Sequence, residues 1–132
     1  MVGTAERVFP IRPARAYILP MTDVDDIRGY HAHVYFDADT VAFATALCEA
    51  AADLFGVGMG HVHERNVGPH PRWSCQLSAT PEQFARLLPW LAFNREDLVV
   101  FCHPETGDHL RDHRDRGIWL GTGLELDLSI FG

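Results

Sequence analysis

The chain has 132 residues, 47% of them hydrophobic and 22% charged, with a formal net charge of −7. Such a composition suits one soluble globular domain with a single filled core. The acidic balance lacks the basic stripe that nucleic acid or an anionic membrane surface requires, which excludes both as natural partners. All eleven basic residues are arginines, so an anionic substrate group would meet a guanidinium fork and not an ammonium. Cys48, Cys75 and Cys102 are odd in number, far apart and without a CxxC pair. They therefore point to a reducing compartment and no disulfide framework. No apolar run approaches the roughly 20 residues that span a bilayer. The first residues lack a basic start followed by an apolar block, and a cytoplasmic protein is the expectation.

In chain order, residues 1–29 read as an arm interrupted by Pro10, Pro13 and Pro20, with Ala16 to Leu19 able to add a short strand. Tyr30 to Phe36 alternates and is rich in aromatics, which predicts a first strand. Asp37 or Asp39 is then expected to cap a helix that runs to about Phe55. Val41, Ala44, Cys48, Ala51, Ala52 and Phe55 recur at helical spacing, and Gly56 is a natural stop. Val57 to Arg65 predicts a second strand loosened by Gly58 and Gly60. Asn66 to Pro71 predicts a turn and Arg72 to Ser78 a third strand. Thr80 and Gln83 have capping-box spacing with Pro81 between them, opening a second helix whose stripe is Phe84, Leu87, Leu88 and Leu91. Pro89 lies inside that stripe and is expected to kink or split the helix. Leu98 to Cys102 predicts a fourth strand, followed by an Asp-, Arg- and His-rich loop or short helix, Ile118 to Leu120, and an amphipathic tail.

The order β-α-β-β-α-β predicts an α+β fold. With right-handed crossovers it gives a ferredoxin-like antiparallel sheet of order 4-1-3-2, with two helices on one face and the other face open. Residues 30–132 then form a single domain. Eight histidines are a high count for this length. Imidazole is the commonest neutral metal ligand and the side chain that normally titrates near pH 7. Alternation in the first strand puts His31, His33 and Tyr35 on the open face, opposite Tyr30, Ala32, Val34 and Phe36. His61 and His63 share one face of the second strand. An antiparallel fourth strand brings His103 beside His31 or His33, and two such histidines can chelate a divalent ion. His109 and His113 have i, i+4 spacing among charges and read as surface residues. The backbone of Gly68-Pro69-His70-Pro71 can hold His70 by turn geometry alone.

Taken together, several segments resemble the DOPA 4,5-dioxygenase family of aromatic ring-cleaving enzymes. They are Tyr30-His31-Ala32-His33-Val34-Tyr35-Phe36, His63 through Pro71, Pro89-Trp90-Leu91, His103-Pro104-Glu105-Thr106-Gly107-Asp108, Asp112-His113 and Trp119-Leu120-Gly121. The resemblance covers about Ile27 to Leu128. It implies a compact ferredoxin-like domain and an extradiol dioxygenase that uses non-haem iron(II) to open a catechol such as DOPA. The product would be of the muconic-semialdehyde type. Such a reaction needs an iron centre with open positions for both catechol oxygens and O2, which two histidines and a carboxylate, or three histidines, leave free. The expected ligands are His31 or His33 with His103 and one of His63, Glu64 or Glu105. His63, His70 or His113, whichever is not a ligand, is the candidate acid/base. Tyr35 is placed to hydrogen-bond an oxygenated intermediate, and Arg65 and Arg72 flank a turn where they would pair with a substrate carboxylate. A competing reading is a non-catalytic, dimeric metal- or ligand-binding module, and a third is a metal-dependent isomerase or hydrolase on the same scaffold. Under every reading an uncovered sheet face or edge favours a homodimer.

Overall fold

The computed structural model describes residues 23–132, so the proposed arm, including the strand at 16–19, lies largely outside the described residues. From Gly29 onward the chain forms β1 (Gly29–Phe36), α1 (Val41–Phe55), β2 (Gly58–His63), β3 (Trp73–Ala79), α2 (Pro81–Asn94), β4 (Val100–Glu105), α3 (His109–Arg114) and β5 (Ile118–Leu120). A 3-10 turn precedes them at Val24–Asp26 and another follows at Leu128–Phe131. The five strands pair antiparallel in the order β2-β3-β1-β4-β5. This α+β architecture is the one expected, but the strand order differs from the four-strand 4-1-3-2 because Ile118–Leu120 joins the sheet beside β4.

The helical layer follows from the spacing of apolar residues. Ala44, Leu47, Cys48 and Ala51 of α1 and Phe84, Leu87 and Leu91 of α2 pack on Ala32, Val34 and Phe36 of β1 and on Cys75 and Leu77 of β3. Leu87 and Leu91 are fully buried, and each contributes about 2 kcal/mol by leaving water. The start of α2 is closed by a capping box. Thr80 Oγ1 accepts from Gln83 N at 3.1 Å, and Gln83 Oε1 accepts from Thr80 N at 2.9 Å. Pro89 does not split α2, which continues to Asn94. The cap expected from Asp37 or Asp39 is replaced by Thr40. Asp37 instead organises the preceding turn, its Oδ1 accepting from Asp39 N and Thr40 N. Gly56 ends α1 at φ 71°, a left-handed conformation that a side chain would strain.

Two strands depart from their expected bounds for identifiable reasons. β2 stops at His63, and its pairing with β3 shifts between Met59 and Val62, a bulge beside Gly60. β4 extends through Pro104 to Glu105, although proline lacks an amide hydrogen. β5 pairs only with Val100, Phe101 and Cys102, so no outer strand requires a donor from Pro104.

The sheet face opposite the helices is not open as expected. Tyr35, Val99 and Phe101 form a second buried cluster under Trp119, Leu124 and Leu126. The β2–β3 turn and the tail meet above it, where Asp127 N donates to Pro69 O at 2.9 Å.

Candidate metal centre

β1 alternates, so His31 and His33 project from the face away from the helices, and the antiparallel register sets His103 of β4 directly opposite His31. One ring nitrogen from each of these three histidines lies within 4.8 Å of the others, two of the side chains being fully enclosed. The Nε2 atoms of His33 and His103 face each other at 3.0 Å. Two imidazoles bound at right angles to one cation, each at ~2.1 Å, would be separated by about 3 Å.

The partners of the remaining nitrogens fix which atoms are available. Nδ1 of His31 donates to Glu105 Oε1 at 2.8 Å. His103 Nδ1 donates to the backbone oxygen of Pro104 at 2.9 Å, because a carbonyl can only accept. In both rings the lone pair therefore sits on Nε2, as a metal-ligating histidine requires, the one on His103 facing His33 Nε2. Burial is the first cause holding all three rings below their ordinary 6.5, with His103 at about 4 and His33 well below its usual value. Glu105 partly opposes the lowering at His31. The rings are therefore neutral donors at pH 7, and the donor set fits a divalent transition metal.

Around this group the structure assembles part of the expected constellation. Tyr35 OH and His70 Nδ1 are 2.7 Å apart, and the His70 ring lies 4.0 Å from that of His33. Burial raises the Tyr35 phenol above its normal range and lowers His70 to about 4. His113, expected at the surface, instead packs on His103 with ring centroids 3.9 Å apart and receives Phe131 at 4.5 Å on its own ring. His109 remains exposed. His63 stays on the edge strand beside His61, 4.8 Å between centroids, and takes no part in the three-histidine group. Glu64 and Arg65 are exposed beyond β2. Arg72 lines clefts with Phe36 and Asp37 to which none of the three histidines contributes.

Further contributors carried little signal in the sequence. Asp112, 1% exposed, accepts from Thr106 N and Oγ1 and from Arg116 Nη1, all at 2.8–2.9 Å at the closest. It thereby ties the segment after Glu105 to α3. Only the i, i+4 spacing of Asp112 and Arg116 hinted at this. A cleft of about 350 Å³, lined by Arg28, Tyr30, His31, Ser78, Gln83 and Glu105, reaches His31 from solvent.

Comparison with known proteins identifies the family. The family model described as the Dopa 4,5-dioxygenase family matches residues 30–130. A DOPA 4,5-dioxygenase of Amanita muscaria is 31% identical over 129 residues, covering 83% of this chain and 54% of that protein. An uncharacterised 21.2 kDa protein of Botryotinia fuckeliana is 36% identical over 117 residues, covering 79% of this chain and 64% of that one. The chain thus spans somewhat over half the length of these curated relatives. The crystal structure of a "putative dioxygenase" from Nostoc punctiforme superposes with a TM-score of 0.80 at 40% identity, covering 83% of this chain and 95% of that one. With the match extending from β1 to the final 3-10 turn, this chain belongs to the Dopa 4,5-dioxygenase family.

Proposed function

We propose that the protein is a non-haem iron(II) extradiol dioxygenase that opens the ring of a catechol such as DOPA, giving a muconic-semialdehyde-type product. The carrying observation is the convergence of His31, His33 and His103, with the Nε2 lone pairs of His31 and His103 left by their Nδ1–H bonds. These three would hold the iron, with Glu105 orienting His31 and available as a carboxylate donor. Bound iron(II) would supply joint coordination of the catechol oxygens and O2 and electron transfer between them.

The chain's own groups account for the rest of the chemistry. His70 is neutral at pH 7; with its Nδ1–H donating to the Tyr35 hydroxyl oxygen, the lone pair is on Nε2, which can take a catechol proton and return it later. Tyr35, its phenol kept protonated by burial, accepts from His70 Nδ1 and keeps its own O–H to donate. His113, stacked on His103, and His63 remain alternative proton carriers. Phe101 and the tail residues above it exclude water from the rings, which preserves their neutral state. Dimerisation is part of the proposal, because β2 is an edge strand with one unpaired side.

Anaerobic addition of iron(II) and DOPA followed by air should produce a yellow semialdehyde with one O2 consumed per ring. Absence of oxygen uptake across a panel of catechols would refute the reading. Sedimentation at micromolar concentration tests the dimer, a single monomeric species counting against it.

A further inference from the structure

The cleft that reaches His31 and a neighbouring one share a single side chain, Arg28. It lines the cleft that reaches His31 and Glu105, and also a neighbouring one of about 390 Å³ formed with Asp25, Asp26, Thr106, Asp108 and Arg116. Its main chain is fixed, since Arg28 N donates to Glu105 O at 2.8 Å and so continues the β1–β4 ladder past Gly29. Its guanidinium lies over Gly107, whose φ is 98°; a Cβ built there would stand 3.3 Å from Nη2. Gly107 therefore both makes the turn and leaves the room that the fork occupies.

Of the other arginines among the described residues, Arg65 and Arg111 are exposed, and the rest are engaged elsewhere or sit in other clefts. Arg116 is bonded to Asp112 and Thr106, Arg114 to Asp115, and Arg95 to Leu98 O. Arg86 lies over the Phe55 ring, and Arg72 shares its clefts with Asp37. Among the described residues no carboxylate comes within ion-pair distance of Arg28. Asp25 and Asp26 occupy the cleft on its far side.

We propose that Arg28, and neither Arg65 nor Arg72, reads the carboxylate of the ring-bearing substrate. The inference rests on the dioxygenase reading for its substrate class. A catechol whose oxygens face His31 would extend its side chain along the cleft floor of Tyr30, Ser78 and Gln83. A carboxylate at the end of that side chain would meet a planar fork able to bind both of its oxygens. The partly solvated position sets the gain at about tenfold in affinity.

The test compares iron-loaded wild type with Arg28→Gln and Arg28→Lys, using 3-(3,4-dihydroxyphenyl)propionate and 4-ethylcatechol. Anaerobic calorimetry gives affinities independent of turnover, and KM and kcat follow with O2. The preference for the carboxylated catechol over the neutral one should fall about tenfold in Arg28→Gln, in affinity and KM and not in kcat. Arg28→Lys should recover part of it, with iron content equal to wild type. An unaltered preference ratio, or an equal loss for both ligands, would overturn the assignment. Carboxylate-selective binding that depends on Arg28 in a wild type without turnover would sink the dioxygenase reading and leave this one standing.

Discussion

Acidification of the metal-free protein should unfold it earlier than carboxylate titration alone would. His70 and His103 are buried, and burial is the leading cause that lowers each from 6.5 to about 4. Between those values the unfolded chain binds protons that the folded chain refuses, so stability falls as pH falls from about 6.5 and levels off near 4. The full drop corresponds to about 3 kcal/mol for one ring, and at pH 5 to about 2 kcal/mol. Two rings acting independently would remove about 4 kcal/mol at pH 5, a large share of the ~5–15 kcal/mol that holds a domain folded. Urea denaturation of chelator-treated protein at pH 7 and pH 5 measures the change, and NMR of the imidazole carbon-bound protons assigns it to individual rings. Most carboxylates are still ionised over this interval, which keeps the two contributions apart. Ring signals of His70 and His103 with midpoints near 6.5, or stabilities at the two pH values within about 1 kcal/mol, would refute the reasoning.

Asp112→Ala strands two Thr106 donors and the half-buried Arg116, and should cost roughly 2–3 kcal/mol in urea titration. Leu87→Ala opens a cavity beneath α2 and should cost ~2–5 kcal/mol by the same measurement. Tyr35→Phe removes the partner of His70 Nδ1, costing about 1–3 kcal/mol while iron content stays at the wild-type level; iron loss in that variant would contradict the assigned geometry. Single His31→Ala, His33→Ala and His103→Ala variants should each lower bound iron in elemental analysis, whereas His63→Ala should retain it.

Alternation alone sorted β1 correctly between its two faces, because successive strand side chains point to opposite sides, even though both sides are buried from Ala32 onward. The antiparallel sense of β4 then sufficed to bring His103 beside His31. Elements that obey no short period stayed hidden. The expected fourth strand, Leu98 to Cys102, stops short of the observed end at Glu105, since a sequence does not reveal that β5 ends its pairing at Cys102. The closure of the histidine face depends on Phe131 reaching His113 and on Asp127 reaching Pro69, contacts between segments distant in the chain. His113 looked like a surface residue because its neighbours are charged. Its burial comes from β4 below and the tail above, and neither leaves a mark on α3 itself. Arg28 was unreadable for a similar reason, because its cleft is made by β1, β3, β4 and the start of α2.

β1 is the middle strand, flanked by β3 and β4, while the β2–β3 turn and the final 3-10 turn lie outside the sheet. Amide hydrogens of His31 and His33 should therefore exchange with deuterium only through whole-molecule opening, and those near Val67 and Ser129 through local excursions. The three histidines are thus mounted on the slowest-exchanging part of the molecule, and the cover above them, His70 of the turn and Phe131 of the tail, belongs to its fastest, so that loosening the cover need not disturb their spacing.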